Sequence, residues 1–342
     1  MKTAVGPVPS TDHWRGHPRF DFEWGGWKEW SHFVVVAREL TAIVNLSVAE
    51  DLDRPGTLVG RATVIVDDGR SDGAVERFEE ADLDLVDGRI DARFGPHRLA
   101  FRDGAWHLEV ALGDRPVQLS LRCVPTAAPT ATSRLPFTRP ARVQWLVYPR
   151  LQVSGTVCID GRVHTLDRAP GYHDHNWGTF CWGDDFAWEW GFAVPDDRDN
   201  PWSLVFSRVS DAGGLRTRSQ GLFLWRGDRY HRLFLEDAVT YRPSGHLQLG
   251  DALRVPRVGA LLRPGGACGL PEQLVVEARK GRDHLACDVA LHDVVQVVIP
   301  SERDPLGTTA IHEVTGRFQV SGTVLGEPVA LAGTAVLEFV RG

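Results

Sequence analysis

The chain has 342 residues, 43% of them hydrophobic and 24% charged, and a net charge of −7 from 38 basic against 45 acidic side chains. That balance is typical of a globular protein and excludes disordered, collagen-like and coiled-coil chains. There is no basic surplus to neutralise phosphates, so no nucleic-acid partner is expected.

From the N-terminus, the first twelve residues lack an apolar run of signal-peptide length. No apolar stretch reaches the roughly 18 residues of a membrane-spanning helix, so none is expected. A first tryptophan window follows, with Trp14, Trp24, Trp27 and Trp30, and it leads into the apolar run Lys28–Val36. Short alternating or β-branched segments then occupy 41–49, 58–66, 75–86, 97–101, 105–112 and 117–123. Turn sequences such as Asp87-Gly88, Asp103-Gly104 and Gly113-Asp114 separate them, which is the pattern of a β-meander. The proline-rich stretch 124–142 reads as a long excursion inside the first domain rather than a linker. A second tryptophan window holds Trp177, Trp182, Trp188 and Trp190. Further strands are predicted at 202–209, 216–226, 229–235, 273–280, 283–290, 309–324 and 328–340. The stretch 250–271 is expected at the place in the second domain that 124–142 takes in the first.

Two echoes set the domain organisation. Residues 150–157 read RLQVSGTV and residues 317–324 read RFQVSGTV, an offset of 167 (317 minus 150). Glu29-Trp30 recurs as Glu189-Trp190 at an offset of 160 (189 minus 29). Near-equal offsets predict a duplicated unit. The expected fold is all-β: two tandem antiparallel β-barrels, at 1–180 and 181–342, each of a size that can hold a small ligand. The five cysteines (Cys123, Cys158, Cys181, Cys268, Cys287) are odd in number and form no CxxC pair. They read as thiols in a reducing, cytoplasmic compartment.

The local sequence with most chemistry is Gly171-Tyr172-His173-Asp174-His175-Asn176-Trp177-Gly178. As a strand it would put Tyr172, Asp174 and Asn176 on one face and His173, His175 and Trp177 on the other. A polar row between glycines is costly to bury without partners, which marks a site or a hydrogen-bonded interface. An HxH pair on a strand also has metal-ligand spacing. A cupin-type site would need a glutamate about four residues on, where Thr179 and Phe180 stand, and only His164 or His312 remains to complete another set. The alternative is proton transfer, with Asp174 as an acid whose pKa an apolar cavity raises. Tyr172, His173, Asp174 and His175 are therefore the candidate catalytic residues. Trp24, Glu29, Trp30, His32, Trp177, Trp188, Glu189 and Trp190 are the candidate substrate-binding residues, because the surplus of tryptophan predicts an aromatic-lined pocket. No GxGxxG, GxxxxGK[ST] or GxSxG occurs, and neither cofactor nor metal is expected.

The motif Gly171–Gly178 resembles the GY-x-DH-x-WG signature of the carotenoid 1,2-hydratase (hydroxyneurosporene synthase) family. Val153-Ser154-Gly155-Thr156-Val157 and Asp160-Gly161 are similar to that family's lead-in strand pair. Glu29-Trp30-Ser31-His32-Phe33 looks like a diverged form of its EWWYF signature, with Ser31 and His32 in place of Trp and Tyr. The resemblance implies tandem lipocalin-like barrels. It implies enzymes that protonate a terminal alkene and add water, with Tyr172 and Asp174 at the site and the aspartate as proton donor. Related lipocalin-like proteins include Diels–Alderases that hold substrate between the barrels. The altered N-terminal signature shifts the expectation away from carotenoid. The principal expectation is a cofactor-independent cyclase acting on an apolar polyene, polyketide or isoprenoid. A hydratase and a non-catalytic lipid carrier are the alternatives.

Overall fold

The computed structural model describes residues 11–15, 26–51, 53–54, 56–132, 142–247, 252–262, 269–304 and 306–341. The chain divides between Phe180 and Cys181 into two compact units. The first is built on Trp27–Ala37 (β1), Leu40–Glu50 (β2), Leu58–Asp67 (β3), Ser71–Glu79 (β4), Leu83–Leu85 (β5), Asp91–Phe94 (β6), His97–Arg102 (β7), Ala105–Ala111 (β8), Val117–Pro125 (β9), Thr130–Thr132 (β10), Arg142–Ile159 (β11) and Arg162–Thr179 (β12). They form a 12-stranded sheet in the order β4-β3-β2-β1-β12-β11-β9-β8-β7-β6-β5, with β10 on β11. The second contains Ala187–Pro195 (β13), Trp202–Ser210 (β14), Thr217–Arg226 (β15), Arg229–Leu235 (β16), Val239–Ser244 (β17), Leu253–Val255 (β18), Gln273–Lys280 (β19), Asp283–Pro300 (β20), Thr308–Val324 (β21) and Glu327–Arg341 (β22). Its 10-stranded sheet runs β16-β15-β14-β13-β22-β21-β20-β19-β17, with β18 parallel on β20. All other pairings are antiparallel among the described residues. No described helix is long and apolar enough to cross a membrane.

Each sheet curls until its ends approach. In the first unit, a Cβ on Gly60 of β3 would lie 2.4 Å from Leu83 Cδ2 of β5. Glu76 of β4 also lies 2.8 Å from His97 Nε2 of β7. In the second, Gln220 of β15 donates to the Val239 carbonyl of β17 at 2.8 Å. Alternation drives the curl, as in β9, where Val117, Leu119, Leu121 and Cys123 are buried while Gln118, Ser120 and Arg122 are exposed. Each buried aliphatic side chain of this kind contributes about 1.5–3 kcal/mol. The first strand of each unit differs: β1 and β13 are buried on both faces almost throughout, which accounts for their near-continuous apolar and aromatic sequences.

The duplication is visible in the strand order. Each unit begins with four meandering strands, and its last strand pairs back on its first. A 3-10 turn follows the fourth strand in both, at Glu80–Asp82 and Glu236–Ala238. That turn interrupts the single strand expected over 75–86. The repeated RLQVSGTV and RFQVSGTV lie on β11 and β21. Their glycines have one structural reason. A Cβ on Gly155 would meet the Ser120 carbonyl oxygen at 2.0 Å, and one on Gly322 would meet that of His284 at 2.1 Å. Only glycine lets the neighbouring backbone come this close. One expected equivalence fails. The stretch 124–142 connects β9 to β11, whereas 250–271 connects β17 to β19, and the true counterpart of 124–142 is the short link between β20 and β21. Pro and Gly content marks a connection without saying which strands it joins.

Candidate functional site

The chemistry-bearing motif lies on β12, between β1 and β11. Its pairing aligns His32 with Asp174, Phe33 with His173, Ser31 with His175 and Glu29 with Trp177. On the other side, Tyr148 faces His173 and Val147 faces Asp174. Residues directly opposite share a face. Glu29, Phe33, Tyr148, His173, His175 and Trp177 therefore share the barrel interior, while Trp30, His32, Trp145, Tyr172, Asp174 and Asn176 share the outer face of the sheet. Nearly all of them are buried.

Inside the barrel the two histidines meet a segment that the sequence reading left unassigned. Asp12 Oδ1 lies 2.5 Å from His175 Nδ1, and Glu29 Oε1 lies 2.9 Å from His175 Nε2. Ionised carboxylates only accept, so His175 must carry both ring protons to satisfy both contacts. Burial alone would depress the His175 pKa, but hydrogen bonds to Asp12 and Glu29 override it and push it up to about 9. Asp12 also accepts from Trp106 Nε1 at 2.7 Å and sits 3.1 Å from His173 Nε2. Burial would raise the Asp12 pKa, but His173 and His175 hold it far below the usual carboxylate range. His173 Nδ1 donates to the His32 carbonyl at 3.0 Å, and its ring stacks on Phe33 with centroids 4.0 Å apart. Arg15 donates to Glu29 from its main-chain N and from Nη1, each at 3.0 Å, and its guanidinium lies over the Trp177 ring. Trp14 fills the remaining space, 5.3 Å from the His175 ring and 5.8 Å from Phe94. Residues 11–15 thus plug this barrel, and the carboxylates of Asp12 and Glu29 face the cations of His175 and Arg15. His164 and His312, considered as partners in a metal set, are engaged elsewhere: His164 with Asp68, and His312 with Gln296 and the Phe339 carbonyl.

The outer face has a different character. Tyr172 Oη donates to Asp174 Oδ2 at 2.8 Å, and Asn176 Nδ2 donates to Asp174 Oδ1 at 2.6 Å. Burial raises the Asp174 pKa to about 6, against the opposing influence of Tyr172, His173, Trp145 and Asn176. His32, beside it on β1, is pushed down to about 3 by burial and by His173, so its ring is neutral. It lies 3.3 Å from Asn45 Nδ2. Asn176 Oδ1 is buried with no hydrogen-bond partner among the described residues. Trp30 packs edge-on against Phe180 with centroids 6.0 Å apart. This face holds an acid that is protonated near neutral pH, an unpaired amide acceptor and aromatic walls.

The remaining candidates fall elsewhere. Trp188, Glu189 and Trp190 belong to the second unit. Trp190 stacks on Phe192 and donates to Glu338 at 3.1 Å, and Trp188 packs near Phe186. Glu189 points into its own barrel, where Arg208 donates to it at 2.7 Å and Arg341 also pairs with it. Trp24 lies outside the described residues. Asp12 and Arg15 are the functional-type residues that sequence reasoning missed. No local motif marks them, because their partners lie far along the chain.

No protein-family model and no curated protein matches the chain. Solved structures do. A protein described as AttH from Nitrosomonas europaea superposes with a TM-score of 0.62 at 16% identity, over 94% of this chain and 98% of that one. Kievitone hydratase from Nectria haematococca gives 0.58 at 14% identity, over 93% and 89%. CghA, solved with Sch210972, gives 0.57 at 13%, over 93% and 88%. At these identities the likeness establishes the fold: this chain has the tandem lipocalin-like architecture that a hydratase also uses.

Proposed function

We propose that this chain is a cofactor-independent enzyme that protonates an apolar, unsaturated small molecule, with Asp174 as the acid. The observation that carries this reading is the buried Asp174 carboxyl, raised to about 6 and held by Tyr172 and Asn176. An acid with a pKa near the working pH combines availability of its proton with driving force for transfer. The alkene π pair takes the Asp174 proton to form a C–H bond, leaving a carbocation and the Asp174 carboxylate. Buried Trp30 and Trp145 supply aromatic faces on which a cation is stabilised. Water then adds to the cation and returns a proton to Asp174, so the acid is regenerated. Hydration is the outcome favoured by Asn176 Oδ1, an unpaired buried acceptor suited to hold that water.

Cyclisation, the outcome the sequence favours, shares the first step. A second double bond of the substrate attacks the cation, and Asp174 recovers the proton from the adjacent carbon. The two are separated by incubating linear isoprenoids and polyene-tailed small molecules in heavy-oxygen water and weighing the products. A gain of one labelled water means hydration. An unchanged mass with altered retention means cyclisation. Asp174→Asn is expected to lower turnover by about 10²–10⁴-fold with binding retained. Turnover is expected to fall above pH 6, where Asp174 gives up its proton. Binding without any product, or full activity in Asp174→Asn, overturns the reading in favour of a carrier or of another acid.

A further inference from the structure

The second barrel contains a cavity of about 800 Å³ that has no counterpart in the sequence motif. It lies within the size range of sites that take up drug-sized ligands. Its charged lining consists of Glu189, Arg208 and Arg341, two cations against one anion. In a chain whose net charge is −7, this is a local positive surplus inside a concave site, where low-dielectric walls concentrate the field. Apolar walls come from Leu215, Val239 and Leu270, and Tyr241 adds an aromatic surface.

The two arginines are held differently. Arg208 is anchored on all sides: Nη1 to Glu189 at 2.7 Å, Nε to Thr217 at 2.8 Å and Nη2 to the Gly214 carbonyl at 3.1 Å. Arg341 pairs with Glu189 through Nη2 and reaches the Val340 carbonyl through Nη1 at 3.3 Å. Its Nε makes no hydrogen bond among the described residues, and its side chain is 22% exposed. A guanidinium carries five N–H donors, so Arg341 retains capacity for an incoming acceptor while Glu189 fixes its position. The Tyr241 hydroxyl stays protonated, because burial, and then the Glu189 charge, raise it well above its ordinary value.

We infer that this cavity is a binding site for a small amphiphilic organic anion, its carboxylate or sulfonate on Arg341 and its apolar body against Leu215, Val239 and Leu270. A planar guanidinium recognises such oxyanions through paired N–H donors. The inference stands independently of the Asp174 reading, since no residue is common to the two sites.

The test titrates the full chain with 8-anilino-1-naphthalenesulfonate and, in parallel, with N-phenyl-1-naphthylamine, which has the same ring system without the sulfonate. Saturable one-to-one binding of the anionic dye is expected, weakened at least tenfold by Arg341→Gln, with the neutral dye unaffected. Leu215→Asp, at a rim position 85% exposed, keeps the fold and is expected to weaken the anionic dye about threefold by adding a negative charge. Should Arg341→Gln fail to fold by circular dichroism, Leu215→Asp decides alone. Anionic-dye affinity that neither variant changes overturns the inference. Parallel loss of both dyes also overturns it, because it would show a purely apolar patch.

Discussion

Glu29 and Glu189 occupy the same place in two barrels of one design, yet they do opposite things. Each points inward from the first strand of its unit, opposite Trp177 in one and Phe339 in the other. The positions around them differ. His173 and His175 of β12 correspond in register to Ala335 and Leu337 of β22, because Phe33 and Ser31 of β1 match Ala193 and Gly191 of β13. Val48, which faces Glu29, corresponds to Arg208, which faces Glu189. In the first barrel the cations come from histidines and from Arg15 on the inserted segment, and the interior is filled. In the second they come from the barrel wall, and a cavity remains. A buried carboxylate needs a cation in either case. Where that cation comes from decides whether the barrel is a core or a container.

The sharpest way to break this comparison is the same substitution in both barrels. Glu29→Gln strands His175 and Arg15 in a packed interior and is expected to cost about 3–5 kcal/mol in urea unfolding. Glu189→Gln leaves Arg208 and Arg341 beside a cavity that water can enter, and is expected to cost about 1–3 kcal/mol. Equal costs would mean that the first barrel is no more sealed than the second.

A substitution pair tests what the barrels share. Gly155→Ala and Gly322→Ala each push a Cβ into a facing carbonyl at nearly the same distance. Both are expected to cost about 1–3 kcal/mol, within 1 kcal/mol of each other. A large inequality would show that the repeated motif serves different structural ends.

The pH dependence separates the two faces of β12. His175 has a folded pKa raised from 6.5 to about 9. Its stabilising contribution is complete below the unfolded value and is lost as pH rises towards 9. Asp174 is raised from 3.8 to about 6, so its protonated form favours the folded state, and that advantage is lost between pH 4 and pH 6. Above this range the ionised, buried Asp174 costs on the order of 2 kcal/mol. Asp174→Asn is therefore expected to raise the urea midpoint at pH 8 and to leave it nearly unchanged at pH 4. A loss of stability at pH 8 would mean that the carboxylate form is structurally required. The smallest effect is expected at Leu215→Asp, within about 0.5 kcal/mol in thermal unfolding, because the side chain is solvated in the folded state.

Much of this was legible in the sequence. The all-β class, the duplication and the two faces of Tyr172–Trp177 follow from period-two alternation, turn residues and a repeated octapeptide, and these signals act between neighbours in the chain. The equivalence of Glu29 and Glu189 was legible for the same reason. The chain order of residues could not show that Asp12, 161 residues before His173, would enter the barrel and bind both histidines. Nor could it show that Ala335 and Leu337 would leave the second barrel room for a cavity bounded by Arg208 and Arg341. Ion pairing and cavity volume depend on which side chains converge in space. The register of β1, β12, β13 and β22 determines that convergence, and residue spacing along one strand does not. The sequence by itself therefore determined the architecture and the polar character of one strand, and the tertiary structure decided which of its residues are sealed in a core and which are left with chemistry to perform.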